Sequence, residues 1–246
     1  MGDIDTILFL AFVVVGAIVQ TITGFAMGLI VIGGVTVFDL VPIEVTAAVV
    51  SFISLVNTGV ALRSTYKFID YTYFRNICIG MIPFLIGGVV LLELLRHESY
   101  VLLRTVLGIV IISAGVLMML KPAPWPRRSS PLAAGAIGCA GGLLGGLYST
   151  AGPPFAYFMY RQPVDIIVIR ATLLAIFAVA TSGRTIVAGL TGHLTSQVLL
   201  ITAIAIPLVI IVTMITSRFT RYIPDVMVRR LAFALLIMIG GVLIVT

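Results

Sequence analysis

The chain has 246 residues, of which 61% are hydrophobic and 10% charged, and its mean hydropathy is +1.24; an ordinary soluble domain is about 25% charged. Apolar runs close to the ~20 residues that cross a bilayer recur from end to end, which excludes a separate soluble domain and makes the whole chain one membrane domain. The net charge of +6 is carried in short stretches between apolar runs, so it orients the chain in the lipid bilayer and implies no nucleic-acid partner.

Hydrophobic runs predict eight segments, at about 4–38, 42–62, 72–95, 101–120, 132–160, 165–190, 197–217 and 230–246. The acids of Met1-Gly2-Asp3-Ile4-Asp5-Thr6 stand where a cleaved signal needs positive charge, so the first segment is expected to be retained. That segment is interrupted by Gln20-Thr21-Ile22-Thr23-Gly24-Phe25. Irregular backbone at membrane depth is tolerated only where it is buried or lines a cavity. The second segment carries Glu44, Ser51, Ser54 and Thr58 along one stripe with Asn57 beside it, a pattern that faces protein or water rather than lipid.

Between the fourth and fifth segments, Lys121-Pro122-Ala123-Pro124-Trp125-Pro126-Arg127-Arg128-Ser129-Ser130-Pro131 forbids a continuous helix and reads as a connector, with Trp125 expected as an interfacial aromatic anchor. The fifth segment is interrupted by Tyr148-Ser149-Thr150-Ala151-Gly152-Pro153-Pro154. Its first part carries Gly135, Gly138, Gly141, Gly142, Gly145 and Gly146, a spacing for close helix packing. No Gly-Lys-Ser/Thr follows to make a nucleotide loop, so an ATP-driven pump is excluded. Arg170 and Arg184 fall within the sixth segment, about 21 Å apart along a helix. Each either snorkels to its nearer surface or faces the bundle, where a guanidinium grips an oxyanion by two parallel hydrogen bonds.

The two interrupted segments are either bent spans or re-entrant hairpins, and the positive charges discriminate. With eight full crossings the loop Lys and Arg divide six against seven. With two hairpins, Arg63, Lys67, Arg75, Lys121, Arg127, Arg128, Arg161, Arg218, Arg221, Arg229 and Arg230 share one side and only Arg96 and Arg104 the other. The second division obeys the positive-inside rule and puts both termini outside.

Landmarks recur at an offset of roughly 124 to 128 residues: Gly24 with Gly152, Thr46 with Thr172, Pro83 with Pro207 and Gly115 with Gly240 or Gly241. The fold expected is an all-α integral membrane protein of two inverted repeats, 1–121 and 131–246 about a linker at 122–130. Each repeat is a broken or re-entrant helical hairpin plus three transmembrane helices. Paired breaks in corresponding positions are the mark of a secondary transporter's midplane site.

At each break a second helix begins, and its free N–H groups and dipole suit an anion. The candidate substrate-binding residues are Gln20, Thr21, Thr23, Gly24, Asn57, Ser149, Thr150, Gly152, Pro153, Arg170 and Arg184. No metal or cofactor is implied: Cys78 and Cys139 read as buried small hydrophobes, and His97 and His193 as external-loop residues. Every carboxylate lies in a loop or near a segment end, so a deep proton relay is not expected. Membrane potential suffices instead, since one anionic charge leaving a negative interior gains about 2.3 kcal/mol per 100 mV.

Gly145 to Tyr157, followed by Arg170-Ala171-Thr172-Leu173, resembles the second-repeat signature of the sulfite exporter TauE/SafE family, and Gln20 to Ile30 resembles its Thr-Gly-Phe-containing first repeat. The resemblance spans nearly the whole chain. It implies outward movement of sulfite or organosulfonates such as sulfoacetate across the cytoplasmic membrane. Arg170 would supply the positive charge, and its change to Ala would abolish transport in folded protein. An anion channel or an importer is the alternative within transport. An integral-membrane enzyme would need a nucleophile, base or metal cluster that the sequence does not display. A homodimer is compatible with the glycine-rich faces.

Overall fold

A computed structural model describes residues 3–98, 100–119, 124–190, 195–219, 234 and 237–242. These residues are helical throughout their ordered elements: α1 (Asp3–Thr23), α2 (Met27–Val37), α3 (Ile43–Leu62), α4 (Tyr71–Glu98), α5 (Tyr100–Met119), α6 (Pro131–Tyr148), α7 (Gly152–Tyr160), α8 (Ile166–Leu190) and α9 (Ser196–Phe219). Six of them, α1, α3, α4, α6, α8 and α9, are long and apolar enough to cross a membrane. The chain is therefore an all-helical, multi-pass membrane protein. Of the eighth segment, residues 237–242 are helical; its remainder, with His193, Arg221, Arg229 and Arg230, lies outside the described residues. Residue 97, expected in a loop, belongs to the last turn of α4.

Both interrupted segments fold back on themselves. Between α1 and α2 the backbone turns through two left-handed residues, Gly24 at φ 84° and Ala26 at φ 85°, and only the glycine takes that conformation without steric cost. The returning leg lies against the first: the Phe12 ring covers Gly34, and Met27 and Val31 cover Gly16. Ser149, at φ 54°, closes α6 with its N–H bonded to the Gly145 carbonyl. Pro153 and Pro154 then enter α7 in its first turn, where missing N–H groups cost least. The legs are unequal, 21 residues against 11 in the first hairpin and 18 against 9 in the second.

The hairpins enter from opposite ends of α8. Near its start α1 faces the start of α9, Thr6, Phe9 and Leu10 lying opposite Gln197, Leu200, Ile201 and Ile204. It ends with Gly24 against Arg170 and Leu173, in the early turns of α8. In the other direction, α6 begins beside the α7–α8 loop, where the Ser129 N–H donates to the Gln162 side chain, and by Gly146 it has reached Arg184.

The glycines of α6 pack it against α4 along most of its length. A Cβ on Gly138, Gly142 or Gly146 would lie 2.3, 2.3 and 2.2 Å from the carbonyl oxygens of Ile77, Met81 and Leu85. Backbone carbonyls cannot retreat as a flexible side chain can. We therefore expect Gly142→Ala to destabilise the protein by about 1–3 kcal/mol, read as a lowered thermal midpoint in detergent. Gly87→Ala, with nothing within 4 Å of its added methyl, is the control that does not lower the midpoint. This glycine face is consumed within the chain, so it offers no surface for a dimer. Elsewhere on α4 the apolar side chains of Ile79, Ile82, Phe84, Ile86, Val90 and Leu94 are exposed.

The connector is held to the same end of the bundle by polar contacts. Buried Gln162 accepts from the Tyr73 hydroxyl at 2.6 Å and donates to the Ser129 hydroxyl at 3.0 Å, while Arg128 pairs with Asp70 at 3.0 Å. Trp125 packs edge-on against Phe158, with the Arg161 guanidinium 5.5 Å over its ring. The residue expected as an interfacial anchor thus also makes an aromatic and a cation contact within the protein.

Candidate functional site

The two breaks touch. A Cβ on Gly28, in the first turn of α2, would lie 2.5 Å from the Ser149 carbonyl oxygen and 3.1 Å from the Thr150 methyl. One on Gly152 would lie 3.2 Å from the Phe25 ring and 3.6 Å from Phe177. Tyr160, at the end of α7, donates to the Thr23 carbonyl at 2.8 Å, satisfying an acceptor that the end of α1 leaves free. The junction lies beside the middle of α8, which carries Phe177.

Within it the candidate residues separate by what their polar atoms do. Gln20 Oε1 accepts from the Met27 N–H at 3.2 Å, capping α2 where Ala26 has no side chain to do so; the expected free donors of that helix end are thus partly used. Thr21 donates to the Ala17 carbonyl at 2.7 Å, and Thr23 lies 2.8 and 3.0 Å from the carbonyls of Val19 and Phe25. Both hydroxyls are occupied inside the first hairpin. Pro153 brings no donor to the start of α7, whose first-turn Gly152 is covered by Phe25. Asn57 Nδ2 joins three helices, donating to Thr21 Oγ1 at 3.0 Å and Thr213 Oγ1 at 2.7 Å.

Among the buried polar atoms with no hydrogen-bond partner are Gln20 Nε2, Asn57 Oδ1 and Thr150 Oγ1. Gln20 and Thr150 are each 2% exposed, and both adjoin the first turn of α2, through Met27 and Gly28 respectively. Burying a polar group unpaired costs about 1–3 kcal/mol, and two such groups adjoin the meeting of the two broken helices.

Arg170 and Arg184 differ sharply. Arg170 is half-buried, and its backbone lies 3.4 Å from where a Gly24 Cβ would stand, which sets it beside the first break. Arg184 is 4% exposed, which overturns the snorkelling alternative for it. Its Nε donates to the Gly146 carbonyl at 2.9 Å and its Nη1 to Ser51 Oγ at 3.3 Å. Ser51 in turn shares a hydrogen bond with Ser149 at 2.9 Å. A guanidinium, two hydroxyls and the second break thereby form one network across α3, α6 and α8.

Ser51 was legible only as part of a polar stripe, and Glu93 was not singled out at all. Yet Glu93 joins Glu44, Ala48, Val89, Leu92, Arg184 and Ala188 around a narrow cleft of about 20 Å³. A void of about 10 Å³ adjoins the second break between Gly145, Ser149, Ala151, Phe177, Ala180 and Thr181. Each is on the order of one water in size.

Two broken helical hairpins whose breaks meet inside a bundle of apolar helices define a class: a multi-pass helical membrane protein. Residues 8–243 match the sulfite exporter TauE/SafE family. The probable sulfite/organosulfonate exporter TauE of Cupriavidus necator is 38% identical over 226 residues, covering 92% of this chain and 88% of that protein. The chain belongs to the sulfite exporter TauE/SafE family, which makes it a membrane protein of the inner membrane in a bacterial cell. No solved structure matches it.

Proposed function

We propose that the chain is a secondary transporter that exports sulfite or a small organosulfonate, binding it where the two hairpin breaks meet. The observation that carries this reading is the junction itself, with the unpartnered Gln20 Nε2 and Thr150 Oγ1 beside the first turn of α2. A sulfur oxyanion presents several acceptor oxygens to these groups and to the Ser149 hydroxyl, while Arg170 and Arg184 flank the junction with positive charge. Donors and cations without a facing carboxylate at the breaks select an anion.

The site alternates its access. The void beside the second break and the cleft at Arg184 each hold at most about one water, less than any sulfur oxyanion, so entry through either requires the surrounding helices to part. Support for two inverted repeats comes from matched roles: Asn57 of α3 bonds the Ala17 carbonyl near the end of α1, and Arg184 of α8 bonds the Gly146 carbonyl near the end of α6. These residues correspond at nearly the offset that relates Gly24 to Gly152. Rocking of one repeat against the other then opens the site to each side in turn, driven by the membrane potential.

The test is flux of labelled sulfite, sulfoacetate, taurine and a dicarboxylate in proteoliposomes under an imposed potential. Saturable, potential-dependent flux of sulfite or sulfoacetate is expected. Flux without saturation would instead indicate a channel, and none from folded protein would defeat the transport reading. Within that assay Arg170→Ala is expected to reduce flux at least tenfold with unchanged yield of folded protein, and Arg170→Lys to retain part of it, since the charge survives and the planar fork does not.

A further inference from the structure

Beyond the junction itself, a narrow cleft reaches Arg184. Its lining comes from the first turns of α3 (Glu44, Ala48), the late turns of α4 (Val89, Leu92, Glu93) and the late turns of α8 (Arg184, Ala188). All three stretches lie at the end of the bundle opposite the connector, the end to which the charge distribution assigns the outside. The cleft is therefore a narrow approach from the outer surface to the buried guanidinium that bonds Ser51 and, through it, the second break.

We infer that Glu44 and Glu93 are specificity-determining residues of this passage, a pair of carboxylates that an anion must pass to reach or leave Arg184 on the outer side. The inference rests on the exporter reading and adds to it a charge asymmetry. Glu44 and Glu93 are half-buried, in a narrow cleft with apolar walls where field lines are less screened than in open water. They repel an anion returning from outside, and they offer Arg184 a competing negative partner once an outbound anion has moved past. The wider setting has the same sign. Along the sequence, the segment ends on that side carry Asp3, Asp5, Asp39, Glu44, Glu93 and Glu98 against Arg96 and Arg104, with His97 and His193 beside them. The connector side carries the large majority of the lysines and arginines. Anions are thus concentrated at the inner mouth and depleted at the outer one, so re-entry is opposed without any deep acid.

The experiment measures sulfite influx and efflux separately in proteoliposomes of fixed orientation, for the native protein and for Glu44→Gln, Glu93→Gln and the double variant, each at low and high concentrations of an inert salt. In the variants the half-saturating concentration for sulfite on the outer side is expected to fall about tenfold, with that on the inner side unchanged. Added salt should lower the outer value in the native protein by screening and should have little effect in the double variant, a response that a purely structural role would not produce. Glu44→Asp and Glu93→Asp, which keep the charge, should behave as the native protein. An outer half-saturation that stays at the native value in every variant, or a salt response that survives the double substitution, overturns the inference while native flux keeps the exporter reading intact. No sulfite or sulfonate flux in the native protein overturns both.

Discussion

Arg184→Ala is expected to cost the most activity of any single substitution at the junction, and some stability with it. The native guanidinium makes two buried hydrogen bonds, to the Gly146 carbonyl and to Ser51 Oγ, and bonds to a charged group contribute about 1.5–3 kcal/mol each in water-soluble proteins. In a membrane the gain is smaller, about 0.6 kcal/mol on average, because the unfolded reference finds other partners. For two bonds these figures come to about 1 and 3–6 kcal/mol, so stability is expected to fall by about 1–3 kcal/mol, toward the membrane value. Transport suffers more. Truncating one member of a buried, hydrogen-bonded charge pair costs about 2–5 kcal/mol of binding, so sulfite half-saturation should rise at least ~30-fold. Ser51 and Ser149 also lose the donor that orients them. Arg184→Lys keeps the charge but cannot span both acceptors, and should fall between the two. Flux is normalised to protein that elutes as a single species in detergent; native half-saturation in Arg184→Ala would remove Arg184 from the site.

Length and polarity made the membrane class, the limits of the first seven segments and both breaks legible, because these depend on local runs of residues. Gly24 and the Pro153-Pro154 pair announce interrupted helices wherever the rest of the chain lies. The partners across the bundle were not legible. Thr21 and Thr23 look like ligands in sequence, but a threonine in a helix readily donates back to a carbonyl one turn earlier, and both do so. Gln20 looks equally free, yet half its amide caps a helix whose own cap residue is Ala26. Arg170 and Arg184 are alike by composition and position in one segment. Only packing separates the half-buried residue beside Gly24 from the one sealed against Gly146 and Ser51. Glu93 reads as an ordinary segment-end acid until α3, α4 and α8 bring it to the cleft that reaches Arg184. In each case the missing information is which helix lies next to which, and no local pattern contains it.

Gly28→Ala tests the meeting of the two hairpins directly. An added methyl would stand 2.5 Å from the Ser149 carbonyl oxygen and 3.1 Å from the Thr150 methyl, and the first of these belongs to backbone that Ser149 holds in a left-handed turn. Local helix energetics push the other way, since Ala is favoured over Gly in a helix by about 1 kcal/mol. Any loss is therefore owed to the junction and not to α2. The substitution should wedge the breaks apart, and because the proposed site lies where they meet, it biases the protein toward an open state rather than unfolding it. Flux is expected to fall at least tenfold while the thermal midpoint in detergent moves little. A cysteine at position 150 should at the same time react faster with a water-soluble thiol reagent in the Gly28→Ala background than in the native one. Gly59→Ala, with nothing within 4 Å of the added methyl, should gain helix propensity and leave both readouts unchanged. Native flux together with unaltered reactivity at position 150 would mean that the two breaks need not stay in contact for transport. The binding site would then belong to one hairpin and the Arg184 network alone.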